Sequence, residues 1–168
     1  HCLLRRQRQM CIRDSQNGQS ISEVDYENSI YIADFFFTTC PSICPIMTKN
    51  MFALQEKLSD FPSIKLLSFS VTPEIDSVEQ LKRYAIENKV DDKRWNLVTG
   101  NKKEIYTLAR KSYMVVKNNE HSGPHDMIHT ENFVLVDTQK RVRGYYDGTN
   151  PSSIESIIND INILVNEK

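Results

Sequence analysis

Two eight-residue apolar runs, IYIADFFF at 30–37 and IKLLSFSV at 64–71, constrain this chain most. Each is short for a helix, bounded by polar residues and rich in β-branched and aromatic side chains, which predicts a strand buried on both faces. Between them Ile43, Met47, Met51, Leu54 and Leu58 recur at spacings of four, four, three and four, one face of a helix running to about Ser59. Strand, helix and strand in that order require a parallel pair. Further on, Asp76 with Glu79 three residues later is an N-cap signature for a second helix, with Val78, Leu81 and Ala85 as its inner face. Trp95–Val98 follows as a strand, and Asn101 with Glu104 opens a helix packed through Ile105, Leu108 and Ala109. Tyr113–Val116 is expected as a short strand. Phe133–Val136 and Val142–Tyr146 pair around a turn at Asp137–Lys140. Asn150-Pro151 opens the last helix with Pro in its first turn, and Ile154, Ile157, Ile158, Ile161 and Leu164 line its buried side. The fold class is therefore α/β: a mixed central sheet, helices on both faces and an antiparallel C-terminal hairpin. The long polar stretch 117–130 is the one extended loop, a length that in compact domains often carries function.

Composition sets limits on function. The 168 residues carry a net charge of −1, which argues against a nucleic-acid binder held by bulk electrostatics. No apolar run approaches the ~18 residues of a membrane span. The first fifteen residues, HCLLRRQRQMCIRDS, differ from the rest: four arginines stand against one acid, and Leu3-Leu4 is too short for a signal-peptide core. They read as a non-native, adapter-like tail, so the domain is expected over 16–168. Without those four arginines and that aspartate the charge is −4. A hairpin turn is expected at Gln16-Asn17-Gly18-Gln19.

Setting the tail aside also removes Cys2 and Cys11 and leaves Cys40 and Cys44, in CPSICP, where the first buried strand hands over to the first helix. Sites in open α/β sheets are built at such strand ends. The helix N-terminus supplies unsatisfied N–H groups and a positive dipole end, both of which favour thiolates, and Pro45 is tolerated there because first-turn N–H groups have no helical partner. Two close thiolates can bind a soft metal, Cu(I) or Zn(II), or close a disulfide. Two inert core cysteines are the plain alternative, which the two flanking prolines do not explain. Of the histidines, His129 lies just before a strand and is the best imidazole donor, whereas His121 and His125 read as loop residues because Gly123-Pro124 breaks any helix through them. Two thiolates and one imidazole suit copper, while zinc would want a fourth ligand from His125 or Asp126. Met47 and Met51 fit the core face of the helix. Met114 and Met127 are further soft donors, and Met127, two residues before His129, is the one worth testing. Tyr145-Tyr146-Asp147-Gly148 reads as a strand end and turn.

Together FFFTTCPSICP, SFSVTPEIDS, WNLVTG, HTENFVLVD and RGYYDG resemble the Sco/SenC family of copper-binding proteins in its bacterial form, over about Gln16 to Lys168. The resemblance implies a thioredoxin-like fold and copper, as Cu(I) or Cu(II), held by Cys40, Cys44 and His129. It implies delivery of copper to the dinuclear copper site of cytochrome c oxidase, or upkeep of that site's thiols. The implied partner is the oxidase copper-site subunit or another copper chaperone, with no nucleic acid. It also implies a periplasmic domain anchored to the inner membrane by an N-terminal segment that the chain does not contain. Many members carry Asp where Thr72 stands here, with Glu74 and Asp76 keeping the segment acidic.

Three readings compete. A thiol–disulfide oxidoreductase would act through Cys40 and Cys44 as redox thiols, but the junction Ile128-His129-Thr130 lacks the cis-Pro of thioredoxin-type reductases. A thiol peroxidase would want an Arg beside a low-pKa Cys, and none is near Cys40 in sequence. A non-catalytic binding module leaves the Cys, Cys, His set unexplained. The chain reads mainly as a metallochaperone, with thiol–disulfide oxidoreductase activity as a second capacity.

Overall fold

The computed structural model describes residues 13–115 and 130–167. The two apolar runs become β3 (Tyr31–Phe36) and β4 (Lys65–Ser70), parallel and in register from Tyr31↔Lys65 to Phe36↔Ser70. The segment between them forms α1 (Ile43–Lys57), which buries Met47, Met51 and Leu54 completely. Around this unit stand β1 (Arg13–Ser15), β2 (Ser20–Ile21), β5 (Trp95–Thr99), β6 (Asn132–Val136) and β7 (Val142–Asp147), with α2 (Val78–Glu87), α3 (Lys102–Thr107) and α4 (Ser152–Asn166). The strand order is β2-β1-β5-β4-β3-β6-β7. β3, β4 and β5 run parallel, and β6 and β7 add the expected antiparallel hairpin.

Side chains alternate across a strand, so adjacent Phe35 and Phe36 serve opposite layers. Phe36 packs on Tyr84 of α2, and the Tyr84 hydroxyl shares a 2.8 Å hydrogen bond with Thr48 of α1, so α1 and α2 cover one face. α4 joins that layer, because the Asn50 amide of α1 donates to the Gly148 carbonyl (2.7 Å) and Lys57 pairs with Glu155. On the other face Phe35 and Phe69 meet Tyr113, which follows α3, with ring centroids 5.1–5.8 Å apart. Each such aromatic pair contributes about 0.5–1.5 kcal/mol beyond the area it buries.

The structure corrects four expectations. Residues 13–15, assigned to the tail on composition, are β1 and pair with both β2 and β5. Arg13 tolerates full burial because its guanidinium meets Glu104 at 2.9 Å, and its stem lies where Gly100 leaves room: a Cβ there would come within 2.5 Å of Arg13 Cδ. The turn after β1 is the expected one, with Gly18 at φ +70°. Second, α2 is capped by Ser77, whose hydroxyl accepts from the Gln80 N–H (3.2 Å); Asp76 turns inward to a set of buried hydroxyls instead. Third, Tyr113–Val115 is not a strand. α3 widens into a π-helical turn over Leu108–Ser112, Met114 takes a left-handed φ of +52°, and the Val115 N–H returns to the Ala109 carbonyl, a helix-ending geometry. Tyr113 is thereby committed to packing rather than pairing. Fourth, Pro151 occupies the N-cap position of α4 and Asn150 accepts from the Ser152 N–H (3.0 Å), one residue later than expected. Most of the expected loop, 117–129, lies outside the described residues.

The central strand β3 carries a buried carboxyl group. Asp34 of β3 is buried and accepts from the Ser68 hydroxyl, which itself accepts from Trp95 Nε1 (2.9 Å). Burial raises the Asp34 carboxyl from 3.8 to about 7, opposed by the Ser68 hydrogen bond. The folded pKa lies above the unfolded one, so the native state binds more protons across the interval. The Asp34 contribution is therefore fully present below pH 4 and lost as pH rises through about 7. Asp34→Asn should stabilise the fold at pH 8, by at most about 4 kcal/mol, and lose that advantage at pH 4. Urea unfolding at the two pH values checks this; a pH-independent difference contradicts it.

Candidate thiol and metal site

The end of β3 and the start of α1 bring together the two cysteines expected to act. Phe37 ends the apolar run, the chain turns with the Cys40 N–H returning to the Phe37 carbonyl (3.2 Å), and α1 begins after Ser42. Ser42 makes no side-chain cap at the α1 N-terminus. The Cys40 sulfur lies there instead, 3.8 Å from the Ser42 hydroxyl, where the Ser42 and Cys44 N–H groups favour its anion. Helix-start N–H groups have no helical acceptor, so a sulfur placed there gains hydrogen bonds that favour its anion. Pro45, one residue further on, has no N–H to satisfy.

The two thiols are not equivalent, a departure from the expectation of two similar thiolates. Both are free and buried. Burial pushes Cys40 up, but the N–H groups of Ser42 and Cys44, the Cys44 thiol and the Ser42 hydroxyl together bring it below its usual value. Cys44 lies in the first turn of α1, facing the core. Burial drives its thiol up to about 12, countered by the Phe37 N–H and reinforced by the Cys40 sulfur and by Asp34. The helix N-terminus thus favours the anion of one sulfur, while burial keeps the other a thiol. Such a pair offers one nucleophilic thiolate with a second sulfur within reach, or two soft donors once Cys44 loses its proton.

His129, the third expected ligand, lies outside the described residues, as do His121, His125, Asp126, Met127, Cys2 and Cys11. Among the described residues no group of three His, Cys, Asp or Glu side chains gathers to hold a metal. Among the described residues the soft donors in place are these two sulfurs, which suit an ion such as Cu(I). Thr130, one residue beyond His129, is buried and leads into β6, the antiparallel neighbour of β3. Met47 and Met51 are core, as expected, and Met114 is exposed. Tyr145 donates to the Tyr113 carbonyl (2.7 Å) and Tyr146 to Asp160.

The segment after β4 borders the same strand ends. Glu74 is exposed and pairs with Lys102 (3.2 Å). Thr72 is buried and donates to Asp76 (3.1 Å). Sequence reasoning placed Asp76 in the acidic segment and read it as a helix cap, but missed its inward hydrogen bonds to the cysteine turn. The one available signal was its excess over need, since Ser77 beside it is an equally good cap.

No helix among the described residues is long and apolar enough to cross a membrane. The profile of the SCO1/SenC family matches residues 14–166. A SCO1 protein homolog of Bacillus subtilis (strain 168) is 35% identical over 150 residues, 88% of this chain and 77% of that protein. Two solved structures are each 30% identical. BsSco, described as a member of the Sco family of cytochrome c oxidase assembly proteins with a disulfide switch, superposes with a TM-score of 0.81 over 98% of this chain and 96% of its own. A SCO1/SenC family lipoprotein from Bacillus anthracis superposes with a TM-score of 0.80 over 92% of each chain. At 20–21% identity, Sco proteins of Arabidopsis thaliana, yeast and Bradyrhizobium japonicum, each solved with copper bound, share the fold. The helix-capping thiol, its buried neighbour and the thioredoxin-like sheet that presents them belong to a chain of the SCO1/SenC family.

Proposed function

We propose that this protein carries copper, taking it up on Cys40 and Cys44 with His129 as the nitrogen donor, and passes it to the dinuclear copper site of cytochrome c oxidase. The observation that carries this reading is the free, buried Cys40–Cys44 pair at the α1 N-terminus within a SCO1/SenC chain. Copper is cargo here. The reduced pair offers two sulfurs, and Cu(I) accepts so few ligands that a partner's cysteines can enter as these leave. Cys44 must give up its proton to bind, so uptake is coupled to pH. A Cys40–Cys44 disulfide offers no thiolate, so oxidation closes the site. The lipoprotein relative supports an anchored protein facing away from the cytoplasm, with the oxidase copper-site subunit or a second copper chaperone as its partner.

The unequal thiols favour a second capacity. The Cys40 thiolate attacks a partner disulfide, one partner sulfur leaves as thiolate, and Cys44 then resolves the mixed disulfide. Two electrons pass to the partner and the Cys40–Cys44 disulfide remains. Upkeep of the oxidase thiols would use this step.

Cu(I) titration of the reduced protein against a chromophoric chelator should give one tight site, with Cys40→Ser or Cys44→Ser weakening it at least about 100-fold and His129→Ala less. Affinity should rise about ten-fold per pH unit between pH 7 and 8, the signature of a proton lost from Cys44. Parent-like binding by Cys40→Ser would refute the copper reading. Iodoacetamide at pH 7 should modify Cys40 well before Cys44, read by peptide mass spectrometry; the reverse order contradicts the assignment of nucleophile and resolving thiol.

A further inference from the structure

Asp76 is fully buried, follows β4, and is left unused by copper uptake or thiol exchange. Its carboxylate accepts from the Thr38 N–H (3.3 Å) and Thr38 hydroxyl, the Ser70 hydroxyl (2.6 Å) and the Thr72 hydroxyl (3.1 Å). All four donors are neutral. A buried carboxyl group is costly unless its oxygens find hydrogen-bond partners, and this one has four. The donors come from two elements. Ser70 and Thr72 belong to the end of β4, Asp76's own side of the contact. Thr38 belongs to the turn that carries Cys40 two residues later, and Gln80 of α2 donates to the same Thr38 hydroxyl (3.1 Å).

Cys44 is held by α1, whose inner face is locked in the core. Cys40 is buried too, but it stands on a short turn between β3 and α1 rather than on a helix, next to exposed Thr39, Pro41 and Ser42. We propose that Asp76 is a positioning residue for the thiol pair: through Thr38 it ties the Phe37–Cys40 turn to the β4–α2 connection and so sets where the Cys40 sulfur stands relative to Cys44. This rests on the reading of Cys40 and Cys44 as a working pair, but not on copper. The clamp is assembled by the parallel register itself, because Phe36↔Ser70 places the two strand ends side by side.

Thr38→Val and Ser70→Ala each delete one hydroxyl donor to the same carboxylate, one on the cysteine turn and one away from it. The first readout is the equilibrium of the reduced protein with oxidised glutathione. There the two thiols pass two electrons to the glutathione disulfide, giving the Cys40–Cys44 disulfide and two reduced glutathiones. The second readout is Cu(I) affinity by chelator competition, and urea unfolding is measured alongside. Thr38→Val and Asp76→Asn should each shift the disulfide equilibrium constant and the Cu(I) affinity about ten-fold, the size expected for a lost hydrogen bond to a charged group. Ser70→Ala should stay within about two-fold on both while losing comparable stability, and Thr38→Ser should restore the parent values. If Asp76→Asn does not fold, the Thr38 and Ser70 pair decides. Equal shifts in Thr38→Val and Ser70→Ala, or no shift in Thr38→Val, overturn the clamp. A parent that takes up no Cu(I) defeats the copper reading alone, since the disulfide equilibrium still decides the clamp. A parent that forms neither complex nor disulfide overturns both.

Discussion

The parallel register of β3 and β4 is the constraint from which the rest follows. Because the strands run side by side and end together at Phe36 and Ser70, their two outgoing connections must share one edge of the sheet. One connection becomes the cysteine turn and the start of α1, and the other becomes the Thr72–Asp76 turn and the start of α2. A crossover helix is the ordinary way to join parallel strands, so the geometry that buries α1 also aims its N-terminus at that edge. The positive end of the helix and its unsatisfied N–H groups then meet a sulfur rather than a capping oxygen.

That arrangement separates two chemically identical side chains. Cys40 sits outside the first turn and collects N–H groups; Cys44 sits inside it and loses solvent. Four residues of spacing thus set the two thiols apart, Cys40 lowered from its ordinary value and Cys44 raised. The cost of burying polar groups is managed in the same way on both sides of the strand ends. Asp34 is met by Ser68 and, through it, by Trp95, whereas Asp76 is met by three hydroxyls and an N–H. With the Ser68 hydroxyl as its donor, the buried Asp34 carboxyl is raised toward neutrality.

Much of this was legible in the residues. Continuous apolar runs and the recurrence of Ile43, Met47, Met51, Leu54 and Leu58 specify local structure through water exclusion, and the Asn-Gly turn does so through the left-handed backbone that Gly18 adopts. The cysteine pair was legible because prolines and a strand-to-helix junction leave little structural reason for it, and the quoted segments resemble one family closely. Boundaries were less legible. Arg13 was set aside for its charge, yet a charge is buried readily when Glu104 arrives from a helix ninety residues away in sequence. Tyr113–Val116 was misread because an apolar stretch of that length pairs or packs according to what lies beside it, and Phe35 and Phe69 lie beside Tyr113.

By itself, then, the sequence determined the order of strands and helices, the parallel core and the identity of the two thiols, because these follow from local periodicity and residue type. Only the tertiary structure decided which thiol is favoured as the anion, that Ser77 rather than Asp76 caps α2, and that Asp76 reaches the cysteine turn. Each of those outcomes depends on distances between residues far apart in the chain. Hydrogen bonding and desolvation act over a few ångströms of space, and sequence separation does not measure that.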